Sequence, residues 1–269
     1  MTALARHGDA AQAARRRRLT AAGWLAPALV IVALIALWEL IVDAGLVDPL
    51  LLPAPHAVAR ALWTDRGVLG PDLATTTWEV LIGLAASLVL GVAVGVLMHL
   101  RRGAERTLRP LVIGSQAVPI LVIAPLIVLV LGFGLAPKVL IVALVCFFPV
   151  AINVYDGLRD TDPTARKLLR SLDATRWQAL WLLEAPSALP AAFTGAKVAA
   201  AVAVTGAVFG EWSGSDSGLG HLVINANFQL ATATQFAATV LLILEAIALY
   251  VAFAALERRV VSWTPRAAR

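Results

Sequence analysis

The residues from Asp162 to Pro190 read DPTARKLLRSLDATRWQALWLLEAPSALP, a polar and basic interruption between long apolar runs. Asp162-Pro163 is a helix-start signal: aspartate accepts from the first free backbone N–H groups, and proline sits where its missing N–H costs nothing. Downstream, Leu168, Leu169 and Leu172, then Trp177, Leu180 and Trp181, alternate with Arg166, Lys167, Arg170, Asp173 and Arg176. This pattern predicts an amphipathic helix that Asp173-Ala174-Thr175 divides into two pieces set at an angle. Pro186 and Pro190 are expected to end the second piece and open the next apolar run.

The flanks decide what this segment is attached to. Hydrophobic residues make up 60% of the 269 positions and charged residues only 14%, with a mean hydropathy of +0.83. That is more apolar side chain than a soluble domain of this length can hide, so the chain is an integral membrane protein of the all-α class. The net charge of +5 does not point to nucleic acid, because the cations cluster beside apolar runs and no basic face is interleaved with aromatics. One cysteine, Cys146, lies in an apolar run, which leaves no intrachain disulfide and no metal or redox motif.

Runs long enough to cross about 30 Å of hydrocarbon fall at about 24–42, 75–99, 110–131, 139–158, 191–212 and 236–256. The first follows Arg15 to Arg18 but is too long for a signal peptide's apolar core and ends in Asp43 without a small-x-small cleavage site. An uncleaved span is therefore expected. Six spans put a basic tail, 1–23, and a second tail, 258–269, on one side of a transmembrane domain at 24–257, with the polar loop 159–190 on that same side. Of the 22 Lys and Arg, all but four fall in these segments or, as Arg101, Arg102, Arg106 and Arg109, in the turn between the second and third spans on the same side; Arg60, Arg66 and Lys138 fall opposite, and Lys197 lies within a span. The asymmetry predicts an N-in, C-in topology.

In the second span Gly83, Ser87, Gly91 and Gly95 recur every fourth residue, a stripe of small side chains that lets another helix approach closely. The fifth span repeats the idea with Gly206 and Gly210. The third carries Gln116, Pro119 and Pro125, which predicts interrupted helical hydrogen bonding and a candidate pore-lining element. Outside the membrane, Leu52-Pro53-Ala54-Pro55 predicts a turn before a short interfacial helix, and Gly214, Gly218 and Gly220 predict a flexible turn into another. Lys197 lies near enough to the cytoplasmic end of its span to snorkel, and Glu245, mid-span, needs a proton, a partner or water; Lys197 is a candidate partner. Glu39, Glu79 and Glu211 fall nearer the outer ends, where solvation is the default. The candidate pathway residues are Gln116, Asn153, Lys197, Glu211, Trp212 and Glu245.

A basic amphipathic segment can lie on anionic lipid. Its sequence points elsewhere. Arg159-Asp160-Thr161-Asp162-Pro163, Leu169 to Trp177 and Leu183-Glu184-Ala185-Pro186 resemble the signature cytoplasmic loop of permease subunits of bacterial ATP-binding cassette importers, written Glu-Ala-Ala, three residues, Gly, nine residues, Ile-x-Leu-Pro. In that alignment Lys167, Leu168 and Leu169 occupy the Glu-Ala-Ala positions, Asp173 the glycine, Leu183 the isoleucine and Ala185 the leucine, while Pro186 keeps the proline. Aspartate tolerates a left-handed backbone better than most residues, so the turn can survive the loss of glycine. The resemblance runs from about Trp38 to Trp263 and includes Leu52 to Pro55, Ser115 to Pro119, Gly132 to Lys138, Phe147 to Val150 and Gly210-Glu211-Trp212. It is similar to the branch serving nitrate, sulfonate, taurine and thiamine pyrimidine precursors, and most similar to permeases for hydroxymethylpyrimidine-type precursors or riboflavin.

The resemblance implies the type I, binding-protein-dependent importer-permease fold in the bacterial cytoplasmic membrane. It implies a second copy of the chain or a related permease, an ATPase dimer and an extracytoplasmic substrate-binding protein as partners. The chain holds no Walker A pattern, since Gly195-Ala196-Lys197 lacks the upstream glycine, so ATP and Mg belong to the partner ATPase, and the chain is expected to bind no cofactor and to be no enzyme. The resemblance assigns ATPase coupling to Leu172, Asp173, Ala174, Thr175, Arg176, Trp177, Leu180, Leu183 and Pro186, with Trp177 and Leu180 as apolar anchors and Arg176 as a charged contact. An ion-gradient-driven secondary transporter is the alternative; it would be expected to show inverted repeats and an intramembrane ion relay, and neither is visible. An intramembrane enzyme lacks a nucleophile motif or paired Ser and His, because His7, His56, His99 and His221 lie in tails or at span ends.

Overall fold

The computed structural model describes residues 27–263, and every regular element among them is helical. The first helix, α1, covers 27–43; α2 is Pro55–Thr64 and α3 Arg66–Leu100. Next come α4 (Arg102–Gly114), a 3-10 turn (Ser115–Ala117), α5 (Ile120–Leu131) and α6 (Leu135–Arg159). The polar loop forms α7 (Pro163–Ser171) and α8 (Arg176–Ala179), which runs through a π turn (Leu180–Glu184) into α9 (Ala185–Trp212). The chain closes with α10 (Leu219–Phe228) and α11 (Thr232–Val260).

Among the described residues four helices are long and apolar enough to cross a membrane: α3, α6, the continuous α8–α9 rod and α11; the bent pair α4–α5 makes a fifth candidate. The predicted first span begins outside the described residues, as does the basic tail 1–23.

The core is built around α6, which packs most extensively against α9 and α3. Val142, Cys146, Val150, Val154 and Leu158, each four residues after the last, form its buried stripe. Small residues on both neighbours admit it. A Cβ at Gly83 would meet Val142, one at Gly91 would meet Val150, and one at Gly95 would meet Val154 and the Ala151 carbonyl. On the other side a Cβ at Gly195 would meet the Pro149 carbonyl, and one at Gly210 would meet Lys138. Ser87 completes the α3 ladder and is fully buried. The helices thus meet backbone to side chain, where dispersion rather than water exclusion holds a membrane bundle together.

Proline acts differently at its two expected breakpoints. At Pro119 the chain turns sharply: Val118 is extended, as a residue before proline prefers, and α4 and α5 meet at 102°. The interruption predicted for the third span is therefore present, as a sharp corner between α4 and α5. At Pro186 and Pro190 the expected helix end is absent, and the helix runs unbroken from Arg176 to Trp212. Pro186 sits in the first turn of α9, directly after the π turn, whose wider backbone bonding accommodates a residue without an N–H.

Candidate functional site

At one end of the bundle the polar loop forms a rigid corner. The Asp162 carboxylate accepts from the Thr164 N–H at 2.8 Å, and starts α7. At its end Asp173 is left-handed, with φ of 56°. The Asp173 N–H donates to the Arg170 carbonyl and the Ala174 N–H to that of Leu169, both at 3.1 Å. These two bonds make a Schellman ending, in which aspartate fills the position usually held by glycine. A capping box follows: the Thr175 N–H donates to Gln178 Oε1 at 2.8 Å, and the Gln178 N–H donates to Thr175 Oγ1 at 3.3 Å.

The corner presents an apolar, basic face. Leu168, Leu172, Trp177, Trp181 and Leu182 are exposed large hydrophobics, with Trp177 at 61%, and Asp173, Thr175 and Arg176 lie exposed among them. Leu180, expected as a surface anchor beside Trp177, is instead 3% exposed within the chain's own core. The π turn accounts for this: one extra residue per turn rotates Trp181 and Leu182 outward and Leu180 and Glu184 inward. Ala174, Leu183 and Pro186 are half-buried behind the face.

One buried carboxylate fastens this corner to the bundle. Glu184, 6% exposed, lies 2.7 Å from His99 Nε2 at the end of α3 and pairs with Arg166 of α7, Oε1 to Nε, at 2.7 Å. Arg166 also donates to the Leu158 carbonyl at 3.1 Å, so α3, α6, α7 and α9 meet at one point. Beside it opens a cavity of about 650 Å³.

The opposite end carries a second buried knot. Glu211, 1% exposed, accepts from Thr76 Oγ1 at 2.7 Å, from the Gly220 N–H at 2.5 Å and from the His221 N–H at 3.2 Å. Thr76 Oγ1 in turn accepts from the Leu219 N–H at 2.8 Å, and Asp72 accepts from the Gly218 N–H at 2.9 Å. Lys138 donates to Glu79 at 2.7 Å and to Ser215 Oγ at 2.6 Å. Glu79 and Glu211, for which solvation was the default, are thus both interior. Gly218 has φ of 107°, and a Cβ there would strike the Glu211 carboxyl, so only glycine fits the backbone to this carboxylate. A smaller cavity of about 450 Å³ lies nearby, lined by Phe133, Lys138 and Ser215 among others.

The remaining candidate pathway residues are dispersed. Trp212 donates its indole N–H to the Gly220 carbonyl at 3.0 Å. Gln116 is exposed at the α4–α5 corner. Asn153 donates to the Pro149 carbonyl of its own helix at 2.7 Å, beside Gly195. Lys197 pairs with Glu257 at 2.8 Å rather than with Glu245. Glu245 is buried facing Thr77 of α3, without a well-formed hydrogen bond. Spacing gave no sign of Glu79 with Lys138 or of His99 and Arg166 with Glu184, because those partners lie on different helices far apart in the chain. For Glu79 the available signal was a carboxylate inside an apolar run; Arg166 and Glu184 lie in the polar loop, where charge is the norm.

Residues 87–262 match the family of binding-protein-dependent transport system inner membrane components. The chain belongs to that family. It is a permease of the ATP-binding cassette class, a multi-pass protein of the bacterial inner membrane. It is 34% identical to the formylaminopyrimidine transport permease protein of Halalkalibacterium halodurans, over 89% of this chain and 96% of that one. It is also 34% identical to the riboflavin transport system permease protein of Chloroflexus aurantiacus, over 86% and 87%. Among solved structures, the permease matches a chain of the MetNI methionine ABC transporter in an inward facing conformation, with a TM-score of 0.59 and 20% identity over 78% of this chain and 98% of that one. The last comparison speaks for the fold alone.

Proposed function

We propose that this permease crosses the membrane six times with both termini in the cytoplasm, its transmembrane domain covering 24–257, and that it pairs with a second copy. The α7–α8 corner then docks on a separate ATPase, which holds the ATP and Mg, and a substrate-binding protein delivers cargo at the Glu211 end. The observation that carries this reading is the corner itself. Five exposed large apolar side chains and Arg176 project from a doubly capped helix pair, an expensive arrangement unless a protein groove covers it. Closure of that partner on ATP would be transmitted through α8 into the continuous α9 rod, since no hinge separates them.

The proposed cargo is a thiamine pyrimidine precursor or a riboflavin-like compound, with sulfonate, taurine and nitrate next. Likeness to the formylaminopyrimidine and riboflavin permeases supports that order. The pathway reading keeps Gln116, Trp212 and Glu245 as the residues to probe.

Pull-down of the tagged permease from its native membrane tests the coupling role. Wild type is expected to recover an ATP-binding cassette ATPase, and Arg176→Glu/Trp177→Ala to lose it while remaining folded. No ATPase in either sample, together with uptake driven by an ion gradient alone, would overturn the reading in favour of a secondary transporter.

A further inference from the structure

We infer that the cavity behind the α7–α8 corner is a binding site for a phosphate group, either free or carried as the headgroup of an anionic lipid in the adjacent leaflet. The cavity, about 650 Å³, has among the described residues one carboxylate in its wall, Glu184. That charge is already matched by Arg166, and His99 Nε2 lies against it. Arg101 and Arg102, at the α3–α4 junction, and Arg170 and Arg176, on the two sides of the Asp173 corner, line the same space. Among the described residues the side chains of Arg101, Arg170 and Arg176 make no hydrogen bond or ion pair, and Arg102 is within electrostatic range of Glu105 only.

Guanidinium groups from three elements therefore converge on a single polar hollow with their donors uncommitted. Like charges gathered this way repel one another unless an anion sits between them, and phosphate suits the arrangement: each guanidinium offers a planar fork that grips two of its oxygens. The backbone that carries these exposed side chains is fixed at the end of α3 and in the Schellman corner, so the points from which the donors reach are set before the ligand arrives. A phosphate held between Arg101 and Arg170 would tie the α7–α8 corner to α3 in parallel with Glu184. This role in holding the corner rests on the coupling reading above; the binding site itself does not.

The test uses the full-length permease in nanodiscs of phosphatidylcholine alone or of phosphatidylcholine with phosphatidylglycerol. Radiolabelled inorganic phosphate is titrated into the first, and lipid retained by the protein is read by native mass spectrometry in the second. Arg101→Gln/Arg170→Gln is compared with Arg258→Gln/Arg259→Gln, which removes two exposed cations outside the cavity. Wild type and the control are expected to bind saturably, and the cavity variant about tenfold or more weakly, as loss of two charge-assisted contacts implies. Arg101→Lys/Arg170→Lys should recover part of the affinity, which separates a binding defect from misfolding. Phosphate binding in phosphatidylcholine discs identifies the free anion, whereas retained phosphatidylglycerol that phosphate does not displace identifies the lipid. Equal binding by the cavity variant and the control in both discs would overturn the site. So would loss of the co-purifying ATPase by Arg101→Gln/Arg170→Gln with no loss of anion, which would make the rim an ATPase contact and leave the coupling reading standing.

Discussion

The two ends of the α8–α9 rod are each fastened by one buried glutamate, and the two fastenings work by different physics. Glu184 is held by side chains, the Arg166 guanidinium and the His99 imidazole. Glu211 is held by neutral donors: the Thr76 hydroxyl and the Gly220 and His221 N–H groups. Charge on flexible side chains can be rearranged at modest cost, whereas backbone N–H groups aimed at one carboxylate require the whole local fold to move. The difference suits a rod whose Glu211 end positions a loop and whose Glu184 end carries the corner that is proposed to meet a partner.

Removing Glu211 should have the largest effect. Glu211→Leu strands the Thr76 hydroxyl and two backbone N–H groups in a buried site, and a loss of about 3 to 5 kcal/mol is expected from orphaning such a network. Thermal unfolding in detergent, followed by size exclusion, measures it. A loss no greater than that of Glu184→Leu would break the contrast between the two ends. Thr76→Val comes next: the hydroxyl both donates to Glu211 and accepts from the Leu219 N–H, so about 2 to 3 kcal/mol should go. Thr76→Ser should restore most of it, because the hydroxyl rather than the methyl does the bonding.

At the other end, Glu184→Gln keeps the shape and removes the charge, and about 1 to 2 kcal/mol is expected. Because Glu184 faces Arg166 and His99 beside an open cavity, the wild-type advantage over Glu184→Gln should shrink as salt is raised, while that of Thr76 over Val should not. Equal salt dependence at the two ends would show that both are fastened by the same kind of force.

The legible parts of the chain are those whose signals lie within a few residues. Asp162-Pro163 announced a helix because capping is local, and Asp173 marked the corner because few residues accept its backbone. The Gly83 to Gly95 ladder announced a close approach, though not that α6 would fill it. Burial of Leu180 was hidden, because a π turn shifts the face of every residue after it and Pro186 reads on paper as a stop. The pairing of Lys197 with Glu257 in place of Glu245, and of Lys138 with Glu79, depends on which helices become neighbours. No spacing rule carries that information.

The smallest expected effect is the sharpest probe of the corner. Asp173 holds φ of 56°, a conformation in which Cβ crowds the neighbouring carbonyl and from which aspartate recovers only part of the cost. Asp173→Gly removes that crowding and loosens the unfolded chain, effects of opposite sign, so a net gain of about 0.5 kcal/mol is expected. Asp173→Ile should lose about 1 to 2 kcal/mol, since a β-branched residue fits this region worst. If the corner is set by backbone geometry, both variants keep the hydrogen bonds from residues 173 and 174 to the end of α7, and hydrogen exchange there should slow in the glycine variant and quicken in the isoleucine one. Exchange unchanged in both would mean that the exposed apolar face and Glu184, rather than the Schellman bonds, set the angle at which α8 leaves α7.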